Sequence, residues 1–153
     1  MAADRLRAGG GFPALPPHPQ SLRIEYRPIY GPYEAGLGRF VDLRKNDFVG
    51  RAAAQREKET GGKLRLQGFC VDALDADAIG DEPIWHDGRV VGWVTSGAYA
   101  HHVGRSMALG YVPAGLAGLA EPDAFEIEIL GERRAATLQP TALFDPDGTR
   151  MRG

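Results

Sequence analysis

A chain of 153 residues and 16.5 kDa with 43% hydrophobic residues has the size of one domain and enough apolar material for a core. Its 18 basic and 20 acidic residues are interleaved to a formal net charge of −2, which removes the basic field that non-specific nucleic-acid binding needs. The single cysteine, Cys70, excludes an internal disulfide framework and a multi-cysteine zinc site, and no apolar run approaches the roughly 20 residues that span a bilayer.

Residues 1–20 (MAADRLRAGGGFPALPPHPQ) combine consecutive glycines with a Pro-Pro step and lack apolar periodicity, so a flexible lead-in is expected there. Two prolines and three glycines in YRPIYGPYEAGLG, residues 26–38, predict a turn-rich loop, followed by a short extended piece, RFVDL. Asn46 or Asp47 can cap a helix running to Thr60, with Phe48, Val49, Ala52 and Ala53 as its buried stripe and Gly61-Gly62 as its stop.

Beyond Lys63 the pattern changes to short β-type runs: 65–71, 83–86, 89–96, 106–112, 125–130 and 135–138. The fold class expected is mainly β with a short α segment: a small antiparallel barrel of about six strands, residues 63–153, preceded by a loop-helix segment at 21–62. Asp87-Gly88 supplies the positive backbone torsions of a type I′ turn, which makes IWHDGRVVGWVTSG a hairpin. PAGLAGL, from Pro113, opens with helix-start chemistry but holds two glycines, which limits it to one or two turns.

Chemistry-bearing residues are few. His101 and His102 are neighbours and diverge in either a strand or a helix, so no metal site is expected of them. Thr95-Ser96-Gly97 lacks the G-x-S-x-G context of a nucleophile and reads as a strand-end turn with capping hydroxyls. Cys70, in LQGFCVDAL, has no cationic neighbour in sequence and reads as a small buried hydrophobe. Gly31, Gly36 and Gly38 do not form a dinucleotide-binding fingerprint, and no flavin site is expected. Glu34, beside a turn-rich loop, could accept paired donors from an amino-pyrimidine ring, and Arg65 could engage a ligand carboxylate; ordinary surface charges remain the alternative.

The blocks YEAGLGRFVDLRKNDFVGRAAAQRE, KLRLQGF and VGWVTSGAYAHHVGRSMALGYVP resemble, in order, signature blocks of the glycine-cleavage T-protein (aminomethyltransferase) family. The tail ILGERRAATLQPTALFDPDGTRMRG is more similar to the folate-binding end of dimethylglycine and sarcosine dehydrogenases. The resemblance implies a carboxyl-terminal antiparallel barrel and a tetrahydrofolate-dependent step that leaves a one-carbon unit on folate as the 5,10-methylene form. It also implies that Glu34 hydrogen-bonds the pterin, that Arg65 lies beside the folate glutamyl tail, and that Tyr33 packs on the ring.

In that family the catalytic aspartate and most of the pterin pocket belong to an amino-terminal half with no counterpart in these residues. The expectation is therefore a portion that is incomplete for catalysis alone, in the cytoplasm or a mitochondrial matrix, whose partners are folate and a catalytic amino-terminal half or flavoprotein chain, with neither nucleic acid nor membrane. The alternatives are a non-catalytic barrel that docks a partner chain, and a complete small methyltransferase using Asp42 or Asp47.

Overall fold

The computed structural model describes residues 29–118 and 124–152, the side chain of Met151 excepted. The lead-in at 1–20 and the first residues, 26–28, of the expected loop lie outside these residues.

Six strands, β1 (Leu64–Val71), β2 (Pro83–His86), β3 (Arg89–Ala100), β4 (Arg105–Pro113), β5 (Phe125–Ile129) and β6 (Glu132–Gln139), close into a barrel in the order β1-β4-β3-β2-β5-β6. Every pairing is antiparallel, and β1 joins both β4 and β6. The expected barrel and strand count are therefore observed. Period-two alternation places the core: Phe125, Ile127 and Ile129 of β5 are buried while Glu126 and Glu128 between them are not. With Phe69, Val71, Ile84, Val94, Ala108, Val112, Ala136 and Leu138 they fill the interior.

Two tight turns set the β2–β3 and β5–β6 hairpins. Asp87 and Gly88 have φ of 50° and 71° between the pairs Trp85↔Val90 and His86↔Arg89, as the sequence predicts. Leu130 and Gly131 repeat the device with φ of 52° and 84°, so Leu130 is a turn residue and not the end of β5.

β3 and β6 outrun their expected lengths the most. β6 begins at Glu132, because Arg133 and Arg134 lie opposite Glu128 and Ile127 and the Arg-Glu opposition makes a charged stretch compatible with pairing. β3 continues to Ala100 through Gly97, where a Cβ would run into the carbonyl oxygen of Ala78. Gly97 admits a loop against the strand rather than ending it. Thr95 correspondingly sits at a mid-strand bulge, not in a strand-end turn, and its buried hydroxyl donates to the Leu109 carbonyl at 3.1 Å.

Helix α1 spans Arg51–Thr60, starting later than a cap at Asn46 or Asp47 would place it, with left-handed Gly50 and Gly61 at its two ends. The Arg51 guanidinium binds the carbonyls of Leu43 and Lys45 at 3.1 Å each, which holds the preceding chain as a loop. Moving the start changes the phase of the buried face. Val49, Ala52 and Ala53 are exposed, Phe48 is half-buried, and Ala54 is the residue that packs inward. Short 3-10 turns lie at Gly38–Phe40 and Ala114–Leu116, the second matching the limit set for PAGLAGL, and helix α2 covers Thr149–Arg152.

The segment before α1 leans on the barrel's outer wall. Tyr30 stacks on Tyr111 with ring centroids 4.1 Å apart, and Trp93 approaches the same ring at 6.0 Å. Tyr111 is fully buried although its neighbours in β4, Gly110 and Val112, face the other side, because aromatic rings cover it from outside.

Candidate functional site

The residues singled out in sequence converge where the loop at 29–38 meets the start of β1. Glu34 Oε1 accepts the backbone N–H groups of Lys63 at 2.7 Å and Leu64 at 3.0 Å, while Oε2, among the described residues, accepts only the Gly31 N–H, at 3.4 Å. The Glu34 carbonyl in turn accepts from Leu66 N–H at 2.8 Å, extending the loop onto the strand.

Arg65 clamps the same corner. Its Nη1 donates to the Tyr33 carbonyl at 2.6 Å and its Nη2 to the Gly61 carbonyl at 3.0 Å, tying the loop to the end of α1. Tyr33 is half-buried against Gly38, where a Cβ would come within 2.6 Å of its ring. Tyr33, Glu34 and Arg65 are thus brought together.

Glu57 completes the corner and was not singled out in sequence. Its Oε1 accepts the Glu34 N–H at 2.8 Å, and its carboxyl fills the space a side chain at Gly31 would need. The only local signal is its place on the helix face that also carries Ala54, three residues earlier.

Partial burial alone would push the Glu34 carboxyl up, but the N–H donors of Leu64, Lys63 and Gly31 and the charge of Arg65 outweigh it and hold the group below the ordinary value of 4.5. A carboxyl that binds protons less readily when folded stabilises the fold above its unfolded pKa and loses that contribution as pH falls through its folded one. We expect the urea midpoint to fall with acidification below about pH 4.5 and to fall less steeply in Glu34→Gln. Equal slopes in the two proteins would refute the linkage.

The other candidates separate. Asp42 is taken by Arg44 at 2.8 Å, and Asp47 is exposed. The His101 ring rests against Tyr99 and the His102 ring against Phe144, and among the described residues no group of three or more His, Cys, Asp or Glu could hold a metal ion. Among these residues no helix is long and apolar enough to cross a membrane.

Cys70 is 6% exposed, in keeping with a small buried residue. The absence of a cationic neighbour does not survive folding: Arg105 Nη1 lies 3.8 Å from Cys70 Sγ, because β4 runs beside β1.

Residues 65–145 match the glycine cleavage T-protein C-terminal barrel domain. The chain is 40% identical over 123 residues to a mitochondrial dimethylglycine dehydrogenase of Mus musculus, which accounts for 78% of this chain and 14% of that protein. It is 38% identical over 129 residues to an aminomethyltransferase of Synechocystis, covering 84% of this chain and 32% of that protein. The solved glycine cleavage system aminomethyltransferase T from Bartonella henselae superposes with a TM-score of 0.66 at 23% identity, over 81% of this chain and 37% of the other, which establishes the shared fold. The chain thus spans a minor part of the relatives it matches, and residues 65–145 are the part that matches the barrel domain. It belongs to the glycine cleavage T-protein C-terminal barrel domain family, shared by aminomethyltransferases and dimethylglycine dehydrogenases.

Proposed function

We propose that this chain is the folate-contacting carboxyl-terminal portion of an aminomethyltransferase-type or dimethylglycine dehydrogenase-type protein of one-carbon metabolism, and that turnover requires an amino-terminal catalytic half. In this reading residues 21–62 form the folate-contacting segment and residues 63–153 the barrel that supports it.

The observation that carries the reading is the state of Glu34. Among the described residues, Oε1 is saturated by two short N–H bonds, which fix the carboxylate, whereas Oε2 carries one long bond and keeps acceptor capacity for the paired donors of an amino-pyrimidine. An ionised, pre-oriented acceptor costs little reorganisation when the ligand arrives. Arg65 holds Tyr33 and the end of α1 in place, and its charge beside Glu34 is available to a glutamyl carboxylate. Tyr33 offers a ring for the pterin to pack on. When bound, tetrahydrofolate supplies the amine that accepts the one-carbon unit; the residues here bind and orient it.

Isothermal titration of the chain with tetrahydrofolate tests this. Saturable binding weakened about tenfold or more in Glu34→Gln, roughly 1.4 kcal/mol, is the expected result. No heat at high ligand concentration, or equal affinity in the variant, would overturn it.

The docking-module reading has one observation in its favour. Ile29 is 72%, Phe40 69% and Val49 103% exposed, an apolar display on one short segment beside the barrel. In the folate reading this is the surface an amino-terminal half covers, so both readings expect a partner there.

A further inference from the structure

Glu34 is gripped from two directions. On the β1 side its carboxylate accepts the Lys63 and Leu64 N–H groups, and its carbonyl accepts the Leu66 N–H at 2.8 Å. On the α1 side its own N–H donates to Glu57 Oε1 at 2.8 Å, a contact between residues 23 positions apart.

Packing does little to seat α1 against the loop. Of its ten residues Ala54 alone is buried, and an isolated helix of that length is marginal in water. Its placement therefore depends on polar contacts near its carboxyl end: the Glu57 carboxylate, and the Gly61 carbonyl that Arg65 holds at 3.0 Å. Gly31 receives the other side of the same carboxylate, for a Cβ on Gly31 would overlap Glu57 Oε1, Oε2 and Cδ. The obstacle there is the tip of a flexible side chain, so Gly31→Ala displaces the carboxylate without forcing the backbone to move.

We propose that Glu57 is the positioning residue for Glu34, its carboxylate locking the loop at 31–34 to α1 through the Glu34 N–H and the bare Cα of Gly31; the inference rests on the folate reading of Glu34. With its peptide held on both sides, the direction in which Glu34 presents Oε2 is set before a ligand arrives, and less ordering has to be supplied on binding. Glu57 acts through Glu34 and needs no contact with the pterin.

The test begins on the free chain. Hydrogen exchange at the Lys63 and Leu64 amides, read by NMR, should quicken about tenfold in Glu57→Ala and stay near the wild-type rate in Glu57→Gln. Both variants lose the charge, so the difference between them isolates the acceptor oxygen. Unchanged amide shifts across β3–β6 establish that the barrel is intact in each. Titration with tetrahydrofolate should then show an affinity about tenfold lower in Glu57→Ala and in Gly31→Ala, restored to within about twofold in Glu57→Gln, with little further loss when the glycine and glutamate changes to alanine are combined. Unchanged exchange at Lys63 and Leu64, or a glutamine variant as impaired as the alanine, overturns the proposal. A wild-type chain that binds no tetrahydrofolate overturns the folate reading and this inference with it, whereas equal affinity in the wild type and Glu57→Ala overturns this inference alone.

Discussion

Phe69→Ala is expected to lower the unfolding free energy by about 3–5 kcal/mol, measured as a reduced urea midpoint at unchanged slope. The ring is fully buried, meets Phe125 edge-on at 5.4 Å, and sits in β1 between Ala108 of β4 and Leu138 of β6. Truncation removes the transfer free energy of the ring and leaves a void that a closed barrel cannot collapse around, since moving one wall strains the pairing on both sides of β1. Because a domain is stable by only about 5–15 kcal/mol, the loss takes a large part of the whole. Phe69→Leu, which keeps most of the volume, should cost about 1–1.5 kcal/mol. A loss below about 1 kcal/mol for the alanine would mean that the interior is not packed as described.

The second large effect is expected at Gly92, where alanine should destabilise by about 3 kcal/mol, at the upper end for overpacking. A Cβ there would collide with the carbonyl oxygen of Tyr111 and reach Val112 Cγ1 at 3.2 Å. The obstacle is backbone of β4, which also pairs with β1, so relief requires moving a central strand. Gly97→Ala is the informative contrast. Its Cβ meets Ala78 of the loop before β2, which is held at fewer points, so the expected response is a local rise in hydrogen exchange over 72–82 and a smaller global loss. Equal global losses at the two glycines would argue against this distinction.

What the sequence made legible follows from the range of the forces involved. Strand positions were readable because alternation at period two is a local record of a buried face, as in Phe125, Ile127 and Ile129. The turn at Asp87-Gly88 was readable because two successive positive torsions restrict residue choice more than almost any other local demand. The stripe of α1 was misread because the phase of a helix depends on its first residue, and that start is governed by Arg51 reaching back to Leu43 and Lys45. Gly97 was misread because a strand glycine admitting a loop looks, in one dimension, like a strand glycine ending it.

The candidate site divides the same way. Glu34, Arg65 and Tyr33 were reached through the resemblance of blocks, and folding brings them to one corner. Glu57 makes its contact with Glu34 across 23 positions, and Arg105 its contact with Cys70 across 35, distances over which spacing carries no signal.

The closure of the barrel also dictates an order of events. β1 has no neighbour in sequence among its strand partners: one is β4 and the other is β6, the last of the six in chain order. The β2–β3, β3–β4 and β5–β6 hairpins can each form from nearby chain, on a timescale of microseconds. Until β4 and β6 are in place, the backbone donors and acceptors of β1 are held by water and not by neighbouring strands. The rate of reaching the native state should therefore be set by the long-range capture of β1, and substitutions that weaken its pairing with β6 should slow refolding more than those in the Asp87-Gly88 turn.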